Sequence, residues 1–390
     1  MDDTAWIKLA LLSQGITASP EFGDWFAGTE GYVRRRNFYN SPNWDESGTS
    51  AALPQEIRLT GGRPVVVAVN NYGSSSWQLT WSEAGGPAIV SEARPDGLPI
   101  ELVNDLASIR GDTDLARVSN LYGGSALSFF SPRACYFFAD GTQCRFCSLD
   151  GTARENDEYA GRVTPDEVRS AVAAVVATDS LSLNQVMIVG GNERNLDRGF
   201  VHQLALVDAA TQALADAGLV DEISVHLIAM PPHDLDLIDR LSEVPNVHAG
   251  FNLEVWDPDR FTTIAPGKTA DYGQANILAA LGRLRDAVGP YRAHSILIAG
   301  LEPANSTLDG ARKLAADGIS PIINSYHSDR HSALGLTIRP SYRHLAEVAS
   351  GLQELHDLYP IQPYWKGCGR NALDYEASLG MFRGSPPDFN

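Results

Sequence analysis

The chain has 390 residues, 44% of them hydrophobic and 20% charged. That excludes disorder as its main state and supplies core material for one large α/β domain with an appendage, or for two medium domains. Acidic side chains outnumber basic ones by 48 to 30, a formal net charge of -18, and the one dense basic run is Arg34, Arg35 and Arg36. A nucleic-acid partner is therefore not expected, and a small-molecule substrate fits better. No run approaches the ~18 apolar residues of a membrane span. The start MDDTAWIKLALLSQG lacks a basic, long-apolar leader pattern. No membrane association and a cytoplasmic location are the expectation.

A short amphipathic helix is predicted over Ala5 to Ser13, followed by a polar, Gly- and Asn-rich stretch to about residue 62. PVVVAVNN (64–71) and SWQLTWSE (76–83) read as strands, the second alternating Trp77, Leu79 and Trp81. From about residue 124 the pattern becomes strand then helix. ALSFF (126–130) is a short buried strand, and Thr164-Pro165-Asp166-Glu167 has the cap, Pro and Glu of a helix start. Further strands are predicted over 185–191, 223–230, 247–256, 294–300 and 320–326. Helices are predicted over 200–216, 234–242 and 273–287, from Ser306 as a cap to Gly318, and over 341–358, where Leu345, Val348, Leu352 and Leu355 form a stripe. Six strands alternating with helices predict a parallel sheet covered by helices, open or curled toward a barrel, with its chemistry at the carboxyl ends of the strands.

Of four cysteines, Cys135, Cys144 and Cys147 fall within thirteen residues directly after the first of these strands. Three thiolates on one loop suit zinc or an iron–sulfur cluster. A three-ligand site leaves one metal position open for chemistry. The alternative is a zinc-stabilised (β/α) domain that binds or hydrolyses a small molecule, with Cys144, Cys147, Cys368 and His327 or His331 as a tetrahedral set. Pro266-Gly267-Lys268-Thr269 is not a P-loop, because Thr262 stands where the first glycine is required. Asp329-Arg330-His331 misses a cobalamin motif by one residue. Glu254 and Arg260 are expected to form a structural ion pair, and His226 and His248 to be core histidines.

Cys144-Arg145-Phe146-Cys147 resembles the end of the C-x3-C-x-Φ-C motif of radical S-adenosylmethionine (SAM) enzymes, with Phe146 as the aromatic. Here eight residues rather than three separate the first two cysteines. The resemblance continues at later strand ends. Gly190-Gly191-Asn192-Glu193 is similar to the GGE segment that holds the SAM amino group, with an inserted Asn. Asn252 and Glu254 follow the fourth strand, where the family places ribose- or carboxylate-binding groups. Ile298 and Gly300 follow the fifth, near the adenine position.

The resemblance implies a partial (β/α)6 barrel over 124–340, a small mixed region over 1–123, and a C-terminal helix and capping tail over 341–390. It implies that Cys135, Cys144 and Cys147 hold a [4Fe–4S] cluster. A flavodoxin- or ferredoxin-type reductant and SAM would then yield a 5′-deoxyadenosyl radical that takes hydrogen from a small metabolite. Tyr326, Tyr364, Trp365, Arg370 and Asp374 are candidate substrate contacts, and Cys368 a candidate hydrogen-atom donor. With only Cys368 left over, a cysteine-bound auxiliary cluster is disfavoured, as is cobalamin-dependent methylation. Rearrangement, epimerisation, dehydrogenation, elimination and addition remain.

Overall fold

The computed structural model describes residues 2–29, 53–83, 85–103, 106, 113–155, 160–178, 182–336 and 339–389. The Arg34–Arg36 run lies outside these residues.

The first sheet has strands β1 (Thr17–Ala18), β2 (Glu56–Leu59), β3 (Val65–Ala68), β4 (Gln78–Trp81), β5 (Pro87–Ser91) and β6 (Arg94–Leu102), in spatial order β1-β4-β5-β6-β2-β3. On β4 and the residue before it, Trp77 and Leu79 are buried and Trp81 half-buried, edge-on to Trp25 at 4.9 Å. The helix Thr4–Gln14 is not amphipathic as expected: Thr4 through Leu12 are all buried. It packs against both β3 and the C-terminal helix Tyr342–Leu358, so no face is left for water. The burial includes Lys8, whose ammonium donates to Glu376 at 2.7 Å and to the Gly369 carbonyl at 2.6 Å.

The second sheet carries β7 (Asn120–Tyr122), β8 (Ala126–Phe130), β9 (Gln185–Val189), β10 (Ser224–Ala229), β11 (Val247–Phe251), β12 (Ala293–Ala299) and β13 (Ser320–Ser325). Their spatial order is simply sequential, β13 to β7, and every pair is parallel except the antiparallel edge β7–β8. Crossovers between parallel strands are right-handed. A sequential order therefore lays every helix on the same face, whereas a doubly wound sheet reverses direction midway. The sheet curls into a partial barrel whose concave face is an interior. Strands β8 to β11 are buried at almost every position, as burial on both faces requires.

Local signals position the helices. Thr164 makes both halves of a capping box with Glu167, and Asn195 starts the helix Leu196–Asp216, four residues before the expected 200. The segment expected as a short helix near 234–242 is a 3-10 helix over Leu235–Glu243. Ser306 is not a cap: the helix begins at Ala304, and the Ser306 hydroxyl donates to Glu302 at 2.8 Å.

The tail returns to the barrel. Ser325 donates its N–H to the Asn371 carbonyl at 2.8 Å and Leu373 to Ile323 at 3.0 Å, so the tail covers the edge of β13. It also anchors on the first sheet, where buried Arg370 meets Glu56 at 3.0 Å.

Candidate active site at the mouth of the half-barrel

A cavity of about 280 Å³ opens at the carboxyl ends of β8 to β13. Cys135, Cys144 and Cys147 all line it. Cys135 directly precedes the short helix Tyr136–Ala139, with no capping bond from its side chain. Cys144 and Cys147 share a tight turn in which the Cys147 N–H donates to the Cys144 carbonyl at 3.0 Å. The loop is tied down from across the barrel: Arg145 donates to Ile264 at 2.8 Å and Gly267 to Thr142 at 2.9 Å.

Burial pushes the three thiols up, Cys144 to about 12, and the sulfurs add to one another's shift at Cys144 and Cys147. Left free, they stay protonated at neutral pH. A cationic centre deprotonates them and removes the penalty of holding them together. Among the described residues, no three His, Cys, Asp or Glu side chains converge as a single ion requires. A cluster instead binds each cysteine through a different iron, so its sulfurs stand apart around it. The donor set fits a cluster. The tetrahedral zinc set with Cys368 is not assembled.

At the end of β9 the glycine pair is required by close approach. A Cβ on Gly190 would stand 2.5 Å from the Ser131 carbonyl, and one on Gly191 would stand 2.3 Å from that of Ala134. Both glycines and Asn192 line the cavity. The Asn192 amide donates to the Cys135 sulfur at 3.6 Å, and its carbonyl accepts from Tyr136 at 2.9 Å. Glu193, expected to face a SAM amino group, does not line the cavity. Its carboxylate lies between Arg162 and Arg198, the latter at 2.8 Å. Burial raises its pKa, and the two guanidiniums more than offset that, holding it below the usual range.

Asn252, Glu254 and Ile298 line the cavity; Gly300 does not, and packs at the turn beyond β12 against Pro340. Glu254 has a φ of 70°, a left-handed conformation rare for a residue with a side chain. Its backbone holds that shape by pairing with Ile296 at 2.8 Å and Ile298 at 2.7 Å. The partner of its carboxylate is Lys268, at 2.7 Å, not the expected Arg260, which reaches the Leu301 carbonyl. Lys268 also donates to the Asn252 carbonyl at 2.9 Å. Sequence reasoning missed this lysine: dismissing PGKT as a P-loop left it without a role. The available signal was a lone lysine directly after a glycine in a chain nearly free of lysine.

No family model matches the chain. It is similar to bacteriochlorophyllide c C-7(1)-hydroxylase of Chlorobaculum limnaeum, 26% identical over 239 residues, which are 59% of this chain and 56% of the relative. The chain thus spans little more than half the length of that curated relative. Among solved structures it is similar to a radical SAM methyltransferase from Sphaerobacter thermophilus, with a TM-score of 0.44 and 14% identity over 77% of this chain and 82% of that one. It is also similar to the FeFe-hydrogenase maturase HydG from Carboxydothermus hydrogenoformans, with a TM-score of 0.45 and 16% identity over 68% and 62%. In this chain, a sequential half-barrel carries a three-cysteine loop after its first parallel strand, opening on one cavity with the later strand ends.

Of the residues expected to contact a substrate, Tyr326 and Trp365 line the cavity; Tyr364, Arg370 and Asp374 do not. Tyr364 is buried among His226, His294 and Trp365. Arg370 is spent on Glu56 and on the Tyr122 ring at 4.3 Å. Asp374 accepts from the backbone of Tyr364 at 2.7 Å and of Trp365 at 3.1 Å. These three residues shape the tail that presents Trp365. Cys368 is fully buried and off the cavity, packed against Gly123, so a hydrogen-donor role has no contact to act through. Tyr122, Phe138 and Asn371 also line the cavity and were not anticipated.

Proposed function

We propose that this chain is a radical SAM enzyme that binds a [4Fe–4S] cluster on Cys135, Cys144 and Cys147. SAM sits against Gly190, Gly191, Asn192, Asn252 and Ile298, and the enzyme removes a hydrogen atom from a carbon of a small metabolite. The observation that carries this reading is the convergence of three half-buried thiols with those strand ends on one cavity. When bound, the pair supplies, with an electron from a flavodoxin- or ferredoxin-type donor, the 5′-deoxyadenosyl radical that accepts the hydrogen. The protein's own part is confinement. Phe138, Phe146, Tyr122 and Trp365 wall the cavity with rings, and the tail adds Asn371 to the lining. Such walls favour a flat, largely apolar substrate. The hydroxylase relative, by its name, acts at a carbon of a bacteriochlorophyllide, which agrees with a C–H bond as the point of attack.

Anaerobic reconstitution with iron and sulfide tests the reading. A brown protein with about four irons per chain that cleaves SAM to 5′-deoxyadenosine under dithionite supports it. A colourless protein holding one zinc, or a loaded protein that leaves SAM intact, overturns it.

A further inference from the structure

The segment Pro266-Gly267-Lys268-Thr269 lies in the helix Pro266–Asp271, pressed onto the cysteine loop. A Cβ on Gly267 would stand 2.4 Å from the Phe137 ring and 2.6 Å from the Thr142 carbonyl. The glycine therefore permits the contact, and the contact brings the next residue, Lys268, to the cavity wall beside the thiols. Its ammonium is clamped by Glu254 and the Asn252 carbonyl. Those two bonds occupy two of its three N–H donors. On the other side of the loop, the Asn192 amide donates to the Cys135 sulfur.

Resting on the cluster assignment above, we propose that Lys268 and Asn192 are positioning residues that set the reduction potential of the cluster. Reduction adds one electron, and hence one negative charge, to a centre ligated by three thiolates. The electron comes from an external low-potential flavodoxin- or ferredoxin-type donor, which is oxidised in turn. A fixed cation nearby and an N–H directed at a ligand sulfur both stabilise the reduced form more than the oxidised one. Low dielectric at the buried wall strengthens both effects. Glu254 fixes the position of the lysine at 2.7 Å, and the Asn252 carbonyl shares the ammonium at 2.9 Å.

The test uses the full chain, reconstituted anaerobically and titrated with dithionite in the presence of mediators while the reduced-cluster EPR signal is followed. Iron and sulfide are measured first on the wild type. Failure to load there overturns the cluster assignment itself, and this inference with it. With the cluster loaded, Lys268→Met and Asn192→Ala each lower the reduced-to-oxidised ratio at a fixed potential about tenfold, equivalent to about 59 mV for one electron. Lys268→Arg restores the wild-type ratio. Ratios within about twofold of wild type in both Lys268→Met and Asn192→Ala overturn the inference while leaving the cluster in place. Should Lys268→Met fail to fold, Asn192→Ala, a change at a half-buried amide, decides by the same reading.

Discussion

Gly191 lies so close to Ala134 that a Cβ placed on it would stand 2.3 Å from the Ala134 carbonyl oxygen and 2.9 Å from Cys135 Cβ. The end of β9 and the cysteine loop are thus fitted backbone to backbone, which gives the first cysteine a defined place. Gly191→Ala must push the loop outward. The expected cost is about 1–3 kcal/mol of stability, together with iron content after reconstitution well below wild type. Full loading would show that the loop tolerates displacement.

Cys147→Ala removes one cluster ligand while its turn keeps the backbone bond to Cys144. Iron content and SAM cleavage are expected to collapse, with far-UV circular dichroism unchanged. Retained cleavage takes this cysteine out of the ligand set.

The buried position of Cys368, off the cavity, predicts a modest outcome for Cys368→Ala. Stability falls by about 1 kcal/mol, and SAM cleavage and product formation both continue. If cleavage continues but product stalls, the thiol reaches the substrate after all and the hydrogen-donor role returns.

Arg370 and Glu56 form a buried ion pair that ties the tail to the first sheet. Removing one partner strands the other charge, and burial already raises the Glu56 pKa. Arg370→Met is expected to cost about 3–5 kcal/mol, and the double variant Arg370→Met/Glu56→Leu to recover much of it. Urea melts of the single and double variants check this. Equal losses in both would mean that the pair contributes through packing rather than charge.

Acid sensitivity should come from the barrel floor. His226 and His248 stack at 4.7 Å, and Tyr364 packs on His226 and His294. Burial holds His226 well below its ordinary value and depresses His248 and His294 to about 3. The unfolded chain therefore binds more protons than the folded one between pH ~6.5 and ~3. Their stabilising contribution is complete above pH ~6.5 and declines as the pH falls, by up to about 1.4 kcal/mol per pH unit for each histidine. Asp374, raised by burial to about 6, acts in the opposite direction over a narrower range. Melting temperatures from pH 7.5 to 5 measure the slope, and His248→Gln should flatten it. A flat wild-type profile would mean that the three rings are not held neutral.

The alternation of strands and helices beyond residue 124 was legible because apolar runs, capping residues and glycine turns act over a few residues of chain. ALSFF is a strand at the predicted bounds, and Thr164 caps as expected. The three cysteines were legible as a set because one loop carries them all. The antiparallel edge β7 was not anticipated, because three residues are too few to show a period.

The amino-acid sequence by itself determined the alternation of strands and helices beyond residue 124, the thiol-bearing loop and its position after the first parallel strand. These depend on neighbours in the chain, where spacing alone sets which face a side chain takes. Tertiary structure decided which polar groups reach the cavity. It turned Glu193 toward two arginines, buried Cys368 and Asp374 in the tail, and brought Lys268 from the helix Pro266–Asp271 to Glu254 at 2.7 Å. A charge is placed by whichever opposite charge the folded chain brings near it, and that distance has no counterpart in one-dimensional spacing.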